Sequence, residues 1–427
     1  MAAVREMELW RQLRSLPFAA FAVAVVLTLL RARDQPSFGV AVGSTTADVV
    51  PADLALLVLF VLSLVEVRRR GFARAARSVA AFTIVFCLVL LGTAAANGAT
   101  AFVAGVKLCE LTVLALAAML VVRTRSRLDA LADLLILFTI AADVFGVIRF
   151  IEGGGGRQPS FLGEHDYAAI ATLPLCYGLV LLYSRGHDRR AWSAIVVGSV
   201  GCVLSAALAS LLGLYVAVAL LMVALAIGRR LTLRDAAVTV LVVGAVTAGT
   251  LTIRSGELGF LQSWFGKPPS APGQYASSWS QRLIFAYIGG RIFIDHPLLG
   301  TGWWSDLPPK EFAKYLPDAR RHYSDQPANY FPTTEFIPQQ TYDEMLYELG
   351  IVGGALFLGL LVSVGRAALR AGRRGADAVV RLVPTAWFAG SLGALAGEGF
   401  FGGTPLAASF WLVAGVAVGL AVDSGAR

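Results

Sequence analysis

The sequence predicts an all-α polytopic membrane protein, with about twelve transmembrane helices and one large, partly helical extracytoplasmic loop. Three observations carry this reading. Apolar runs of about 17–22 residues recur along the 427-residue chain, close to the roughly 20 residues that cross a hydrocarbon core. Charged residues make up only 15% of the chain, against about 25% in a soluble protein, and 57% of residues are hydrophobic. Lys and Arg gather in short connections between apolar runs, so the formal charge of +8 reports membrane topology and implies no nucleic-acid partner.

Residues 5–16 read as a short interfacial helix with Trp10 at headgroup depth. Apolar spans follow near 17–31, 53–67, 79–97, 101–122, 129–149, 167–184, 192–208, 211–228, 235–252, 346–365, 381–397 and 404–422. The run from Ala191 to Ile227 is too long for one crossing and divides near Ala209-Ser210. The chain thus organises as nine spans over 1–252, a loop domain over 253–345 and three spans over 346–427. No cleavable signal is evident, because the first run ends at Arg31 without a small-residue cleavage pattern. The four cysteines, Cys87, Cys109, Cys176 and Cys202, all lie in apolar runs and make neither a metal spacing nor a disulfide frame. Neither a metal nor a cofactor is expected.

Counting Lys and Arg on alternate sides orients the chain. The termini and the connections on their side hold 23 of the 36, while the other side holds 12, of which 8 lie in the long loop. Short loops dominate orientation, so both termini are expected in the cytoplasm and the long loop outside it. Charges inside spans are costly in hydrocarbon and draw attention. Lys107 and Glu110 stand at i,i+3 and can pair on one helix face. Asp133 and Asp143 face the same choice between packing and function.

Two stretches on the loop side carry chemistry. In Gly153-Gly-Gly-Gly-Arg157 the glycines lack the Gly-Lys-Ser/Thr of a phosphate loop and read as a linker. Beyond them Arg157, Glu164, His165 and Asp166 cluster where a helix begins, a natural anion site. The polar interruption from about Arg254 to Glu348 is the second stretch. A helix is predicted near 278–294, because Leu283, Ile284, Ile288, Ile292 and Phe293 recur at near-helical spacing before Pro297 and Gly300.

The segment from Arg282 to Gly302, ending Asp-His-Pro-Leu-Leu-Gly-Thr-Gly, resembles the O-antigen ligase/polymerase family of bacterial membrane glycosyltransferases. So does the later stretch, where Tyr342, Leu346, Glu348, Gly350 and Gly353 match the family's pattern on entry to a membrane helix. The specific part covers about 75 residues, from Ser280 to Gly353. The chain departs from the family at three places. Gln339 stands at the catalytic His position, followed by Gln340 for Asn. A Ser-Arg-Gly motif corresponds to Ser210-Leu211-Leu212-Gly213, with Leu211 where the family has Arg, and Asp166 replaces an Asn.

The resemblance implies a GT-C-like protein of the bacterial inner (plasma) membrane. It implies a polyprenyl-pyrophosphate-linked glycan donor and a glycan or lipid acceptor, with polymerase or divergent transferase favoured over ligase by the missing His. Such a transfer must neutralise charge on the leaving pyrophosphate, orient an acceptor hydroxyl and remove its proton. Arg suits the first task, since its planar fork binds phosphate oxygens in pairs. Arg282 takes the family's position as the clamp; Arg291, nine residues on, either joins it or anchors the loop. Gln339 can position a hydroxyl but has no useful pKa, so the base is expected at Asp166 or Glu335. Arg157, His165, Tyr342, Glu348 and Trp303 complete the expected substrate-binding set, with Glu348 also suited to bracing the loop. The loop's many Trp and Tyr residues fit either sugar stacking or interface anchoring. A transporter of a small anion and a non-catalytic scaffold for envelope assembly are the rival readings.

The topology is checked by cysteine labelling. A cysteine placed at Ser270 is expected to react with an impermeant maleimide in intact cells, and one at Ala371 to stay unlabelled. The reverse pattern overturns the orientation.

Overall fold

The structure, a computed structural model, describes residues 9–71, 74–153, 155–185, 188–227, 231–255, 278–304, 307–324, 340–374, 377–400 and 404–423. In chain order the helices are α1 (Leu16–Leu29), α2 (Pro51–Arg70), α3 (Arg74–Ala96), α4 (Ala99–Glu110), α5 (Thr112–Val121), α6 (Arg125–Glu152), α7 (Glu164–Arg185), α8 (Arg189–Ser205) and α9 (Leu208–Ile227). They continue as α10 (Leu233–Ile253), α11 (Ser278–Asp295), α12 (Leu307–His322), α13 (Thr341–Arg374), α14 (Ala378–Leu395) and α15 (Thr404–Asp423). Each expected apolar run contains a helix, and α4 and α5 together make one run, broken at Leu111. Among the described residues, eight helices are long and apolar enough to cross a membrane, and two more, Leu16–Leu29 and Leu211–Ile227, are shorter apolar helices. The chain is a multi-pass membrane protein.

One element departs from the all-α expectation. Strands β1 (Phe38–Val42) and β2 (Thr45–Val49) pair antiparallel, Phe38 opposite Val49 and Val42 opposite Thr45. Gly43, at φ +59, makes the tight turn between them. A Cβ built on Gly43 would touch Ala99, so the hairpin lies over the first turn of α4.

Small residues let the helices approach closely where apolar attraction between side chains and lipid tails cannot drive association. A Cβ on Gly198 of α8 would come within 2.6 Å of the Ala171 carbonyl of α7. A Cβ on Gly393 of α14 would meet Gly213 of α9 at 2.1 Å, and one on Gly415 of α15 the Ala115 carbonyl of α5 at 2.3 Å. Helix α15 is buried along nearly its whole length, from Leu406 to Ala421, and forms the bundle's central post. The helix starts at Thr124, Asp188, Thr232 and Asp377, all on the side of the cationic short connections, are closed by their own side chains. There Asp129 accepts from Arg125 Nε and Tyr177 Oη, both at 2.6 Å, and Asp133 pairs with Arg190. Lys107 pairs with Glu110 as the i,i+3 spacing predicts, and also with Asp53 of α2.

On the opposite side α11 and α12 fold back as a helical pair. Helix α11 spans the stretch predicted near 278–294, and Ile284, Phe285, Ile288 and Ile292 pack with Phe312, Leu316 and Ala319 of α12 and with Tyr347. The turn after α11 then docks into a break in α13. Gly350, at φ +63, interrupts that helix and leaves carbonyls and amides on either side without helical partners. The turn supplies them. Thr301 N and Gly302 N donate to the Tyr347 and Glu348 carbonyls at 2.9 and 2.8 Å, while Ile351 N and Val352 N donate to the Pro297 and Leu298 carbonyls at 2.8 and 3.2 Å. From the α3–α4 turn, Asn97 Nδ2 donates to the Trp303 carbonyl at 3.2 Å.

This docking admits no side chain at Gly350, where a Cβ would lie 2.3 Å from the Leu298 carbonyl oxygen. Gly350→Ala is therefore expected to lower the melting temperature of the detergent-purified protein, at a cost of at least about 1–3 kcal/mol for the backbone strain. Gly244→Ala, whose Cβ would meet nothing within 4 Å, is the control expected to leave it unchanged. Equal melting temperatures for the two variants would show that the docking contributes nothing.

Candidate functional site

Four arginines meet at the helix mouths below the α11–α12 pair, each arriving from a different stretch of chain. Arg282 lies in the first half of α11 and is buried. Its Nη2 donates to the Gly397 carbonyl, in the α14–α15 connection, at 2.9 Å and lies 3.2 Å from His165 Nε2. Arg254 caps the C-terminus of α10, is buried, and donates from Nη1 to the Ala206 carbonyl at 3.1 Å. That carbonyl is exposed because Ala206 adopts a left-handed conformation, φ +48, which ends α8 before α9 begins.

The start of α7 supplies the acidic side. Arg157 is ion-paired with Glu164. Asp166 is only 1% exposed; its Oδ1 accepts from Leu406 N at 2.8 Å, tying α7 to the N-terminus of α15. Its Oδ2 lies 3.7 Å from Arg31 Nη2. Arg31 reaches Asp166 across Gly163, where a Cβ would sit 1.7 Å from its guanidinium and displace it. Gly163 also has φ +122. The third acid is Glu398 in the α14–α15 connection, within electrostatic reach of Asp166, Arg31, Arg282 and Glu164.

The charges act on one another. Burial, then the guanidinium groups of Arg254 and Arg157, push the Arg282 pKa down, with Glu398 opposing them. Burial, then Asp166, push the Glu398 carboxyl up to about 8 against the pull of Arg31 and Arg282. The guanidinium groups thus converge at the mouth of the helix bundle with the carboxyls of Glu164, Asp166 and Glu398 among them, and a bound anion would offset the repulsion between the arginines.

Of the residues expected from sequence, Arg282, Asp166, Arg157 and His165 come together here. Tyr342 begins α13 close by, its hydroxyl donating to the Leu392 carbonyl at 2.6 Å. Glu348 and Trp303 belong to the docked turn: Glu348 accepts from Trp304 N at 3.2 Å, and Trp303 is buried with its amide on Thr93 Oγ1 at 3.3 Å. Arg291 is exposed on the far face of α11, held by Asp318 at 3.3 Å and lying over the Tyr287 ring. Glu335 and Gln339 lie outside the described residues. Sequence reasoning missed Arg31, Arg254 and Glu398 as site residues. For the two arginines the signal was present: each stands just beyond an apolar run on the loop side, where cations are scarce.

Residues 193–358 match the model of the family described as O-antigen ligase. The match runs from α8 into α13 and so includes Arg254, Arg282 and the docked turn, while Arg31, Arg157, Asp166 and Glu398 fall outside it. No curated protein matches the chain.

Asp166→Ala is expected to destabilise the protein by about 1–3 kcal/mol, because it strands the Leu406 amide in a buried setting. Asp166→Asn keeps a carbonyl oxygen for that amide and is expected to cost less. Thermal melts of the two variants compare them directly, and equal losses would show that the bond to α15 is unimportant.

Proposed function

We propose, from the place in the O-antigen ligase/polymerase family that this match supports, that the protein is a membrane glycosyltransferase. It moves or polymerises glycan from a polyprenyl-pyrophosphate-linked donor at the extracytoplasmic face. The observation that carries the reading is the convergence of the buried Arg254 and Arg282 with the half-buried Arg157 in one cluster. A pyrophosphate diester presents the charge that offsets their mutual repulsion, and guanidinium forks match its oxygens.

In the reaction, the acceptor's hydroxyl oxygen bonds to the anomeric carbon of the donor sugar. The bond from that carbon to the pyrophosphate oxygen breaks, and the electron pair leaves with the lipid pyrophosphate. Arg282 and Arg254 neutralise the charge that develops there, fixed in advance by the Gly397 and Ala206 carbonyls. Arg254, held beside the start of α9, takes up the role of the cation that the family carries at Leu211. Arg157 is steadied by Glu164, and Asp166 holds α7 and α15 together beneath the site. The acceptor approaches from the side of α13, past Tyr342.

Arg282→Ala is expected to cut turnover by roughly two to three orders of magnitude, the usual cost of losing one donor to a developing oxyanion. Arg282→Lys is not expected to rescue it, because the charge remains while the planar fork is lost. Glycan product formed by a deletion strain complemented with each variant, at matched membrane expression, is the measurement. Full activity of Arg282→Ala would overturn the transferase reading and leave anion transport or scaffolding in its place.

A further inference from the structure

The transfer needs a group to take the acceptor's proton, and the partners of the cluster's carboxylates separate them. Glu164 is committed to Arg157. Asp166 gives one oxygen to the Leu406 amide and turns the other towards Arg31. Glu398 differs: among the described residues, its carboxylate accepts no hydrogen bond and lies within ion-pair distance of no cation. It is half-buried, so it is neither sealed away nor simply solvated.

While the side chain is uncommitted, the backbone around it is held from three directions. The Gly397 carbonyl accepts from Arg282 at 2.9 Å. The Glu398 carbonyl accepts from Thr341 Oγ1 at 2.9 Å, and Phe400 N donates to Glu344 Oε2 at 2.7 Å. The connection is thus locked between the clamp helix α11 and the first turn of α13. A carboxylate on a rigid mount, without a hydrogen-bond or ion-pair partner among the described residues and one residue from the atom that Arg282 grips, has the arrangement of a catalytic group rather than a structural one. Through Thr341 the connection that carries Glu398 is tied to the very start of α13.

We propose that Glu398 is the general base of this transfer. Its carboxylate takes the proton of the acceptor hydroxyl as that oxygen bonds to the anomeric carbon and the pyrophosphate departs with the electron pair. The proposal rests on the transferase reading and adds the residue that the reading leaves open. It also gives the donor a second effect. Glu398 stands among Arg31 from beyond α1, Arg157, Glu164, His165 and Asp166 around the start of α7, Arg254 from α10, Arg282 from α11, and Asp343 and Glu344 from the first turn of α13, where Glu344 is taken by the Phe400 amide. Pyrophosphate bound to the arginines offsets their pull on Glu398 and strengthens it as a base only once a donor is in place. A carboxyl raised to about 8 already has the proton affinity that an ordinary carboxylate lacks.

The test uses membranes of the deletion strain carrying the full-length protein, with their own lipid-linked donor and acceptor. Wild-type turnover is expected to rise with pH through about 8, as the carboxyl ionises. Glu398→Gln, nearly identical in shape, is expected to lose about two to four orders of magnitude and that rising limb, with its melting temperature retained. Glu398→His is expected to recover part of the activity, with the limb moved down towards the histidine range near about 6.5. Near-normal turnover of Glu398→Gln, while Arg282→Ala is inactive, would overturn the proposal and leave the transferase reading standing. Loss of activity at every pH in the Gln and His variants, with a lowered melting temperature, would assign Glu398 a structural role and overturn it as well. Full activity of Arg282→Ala would overturn the transferase reading itself, and the proposal with it.

Discussion

The docking of the 297–302 turn into the broken helix α13 is the constraint on which the loop side depends. A break in a membrane helix leaves backbone groups without partners where water cannot serve them, and such breaks persist only where protein completes the bonding. Four backbone bonds across Gly300 and Gly350 do so here. Both glycines have positive φ, and at each a Cβ would collide with the other strand of the contact. Because the turn directly follows α11, the same bonds fix where α11 lies, and with it Arg282. The cation of the site is thus placed by amide geometry more than by side-chain packing.

The site is an assembly product. Arg31 and Arg157 are separated from each other and from the Arg254–Arg282 stretch by whole apolar helices, so the four gather only as the bundle closes. Gathering like charges in a partly dry space works against folding, and the price is met by carbonyls and carboxylates that hold each guanidinium singly. Burial by the central helix α15 and the connection before it keeps the cluster dry enough for its fields to matter.

Much of the fold was legible in the sequence because hydrocarbon leaves the chain few choices. Every apolar run became a helix, and α11 appeared where its apolar spacing put it. The positions Pro297, Gly300, Glu348 and Gly350, noted as two separate motifs, proved to be the two halves of one contact. The hairpin at 38–49 was missed: its strands are short and largely exposed, so no buried face imprints a pattern. Glu348 matched a motif, and its place one turn inside a helix already favoured bracing, which it does through the Trp304 amide. Glu398 was invisible for a deeper reason. It is one acid in a glycine-rich connection, and only the tertiary approach of α7, α11 and α13 gives it surroundings that make it distinctive.

The backbone character of the docked turn has a consequence for the surface it presents. Since main-chain atoms make the bonds, the side chains of Leu298 and Leu299 are released from the contact and stand 68% and 51% exposed. Attachment and outward character thus fall on different atoms of the same residues. What the turn shows to its surroundings can change at either leucine without disturbing the bonds that seat it in α13.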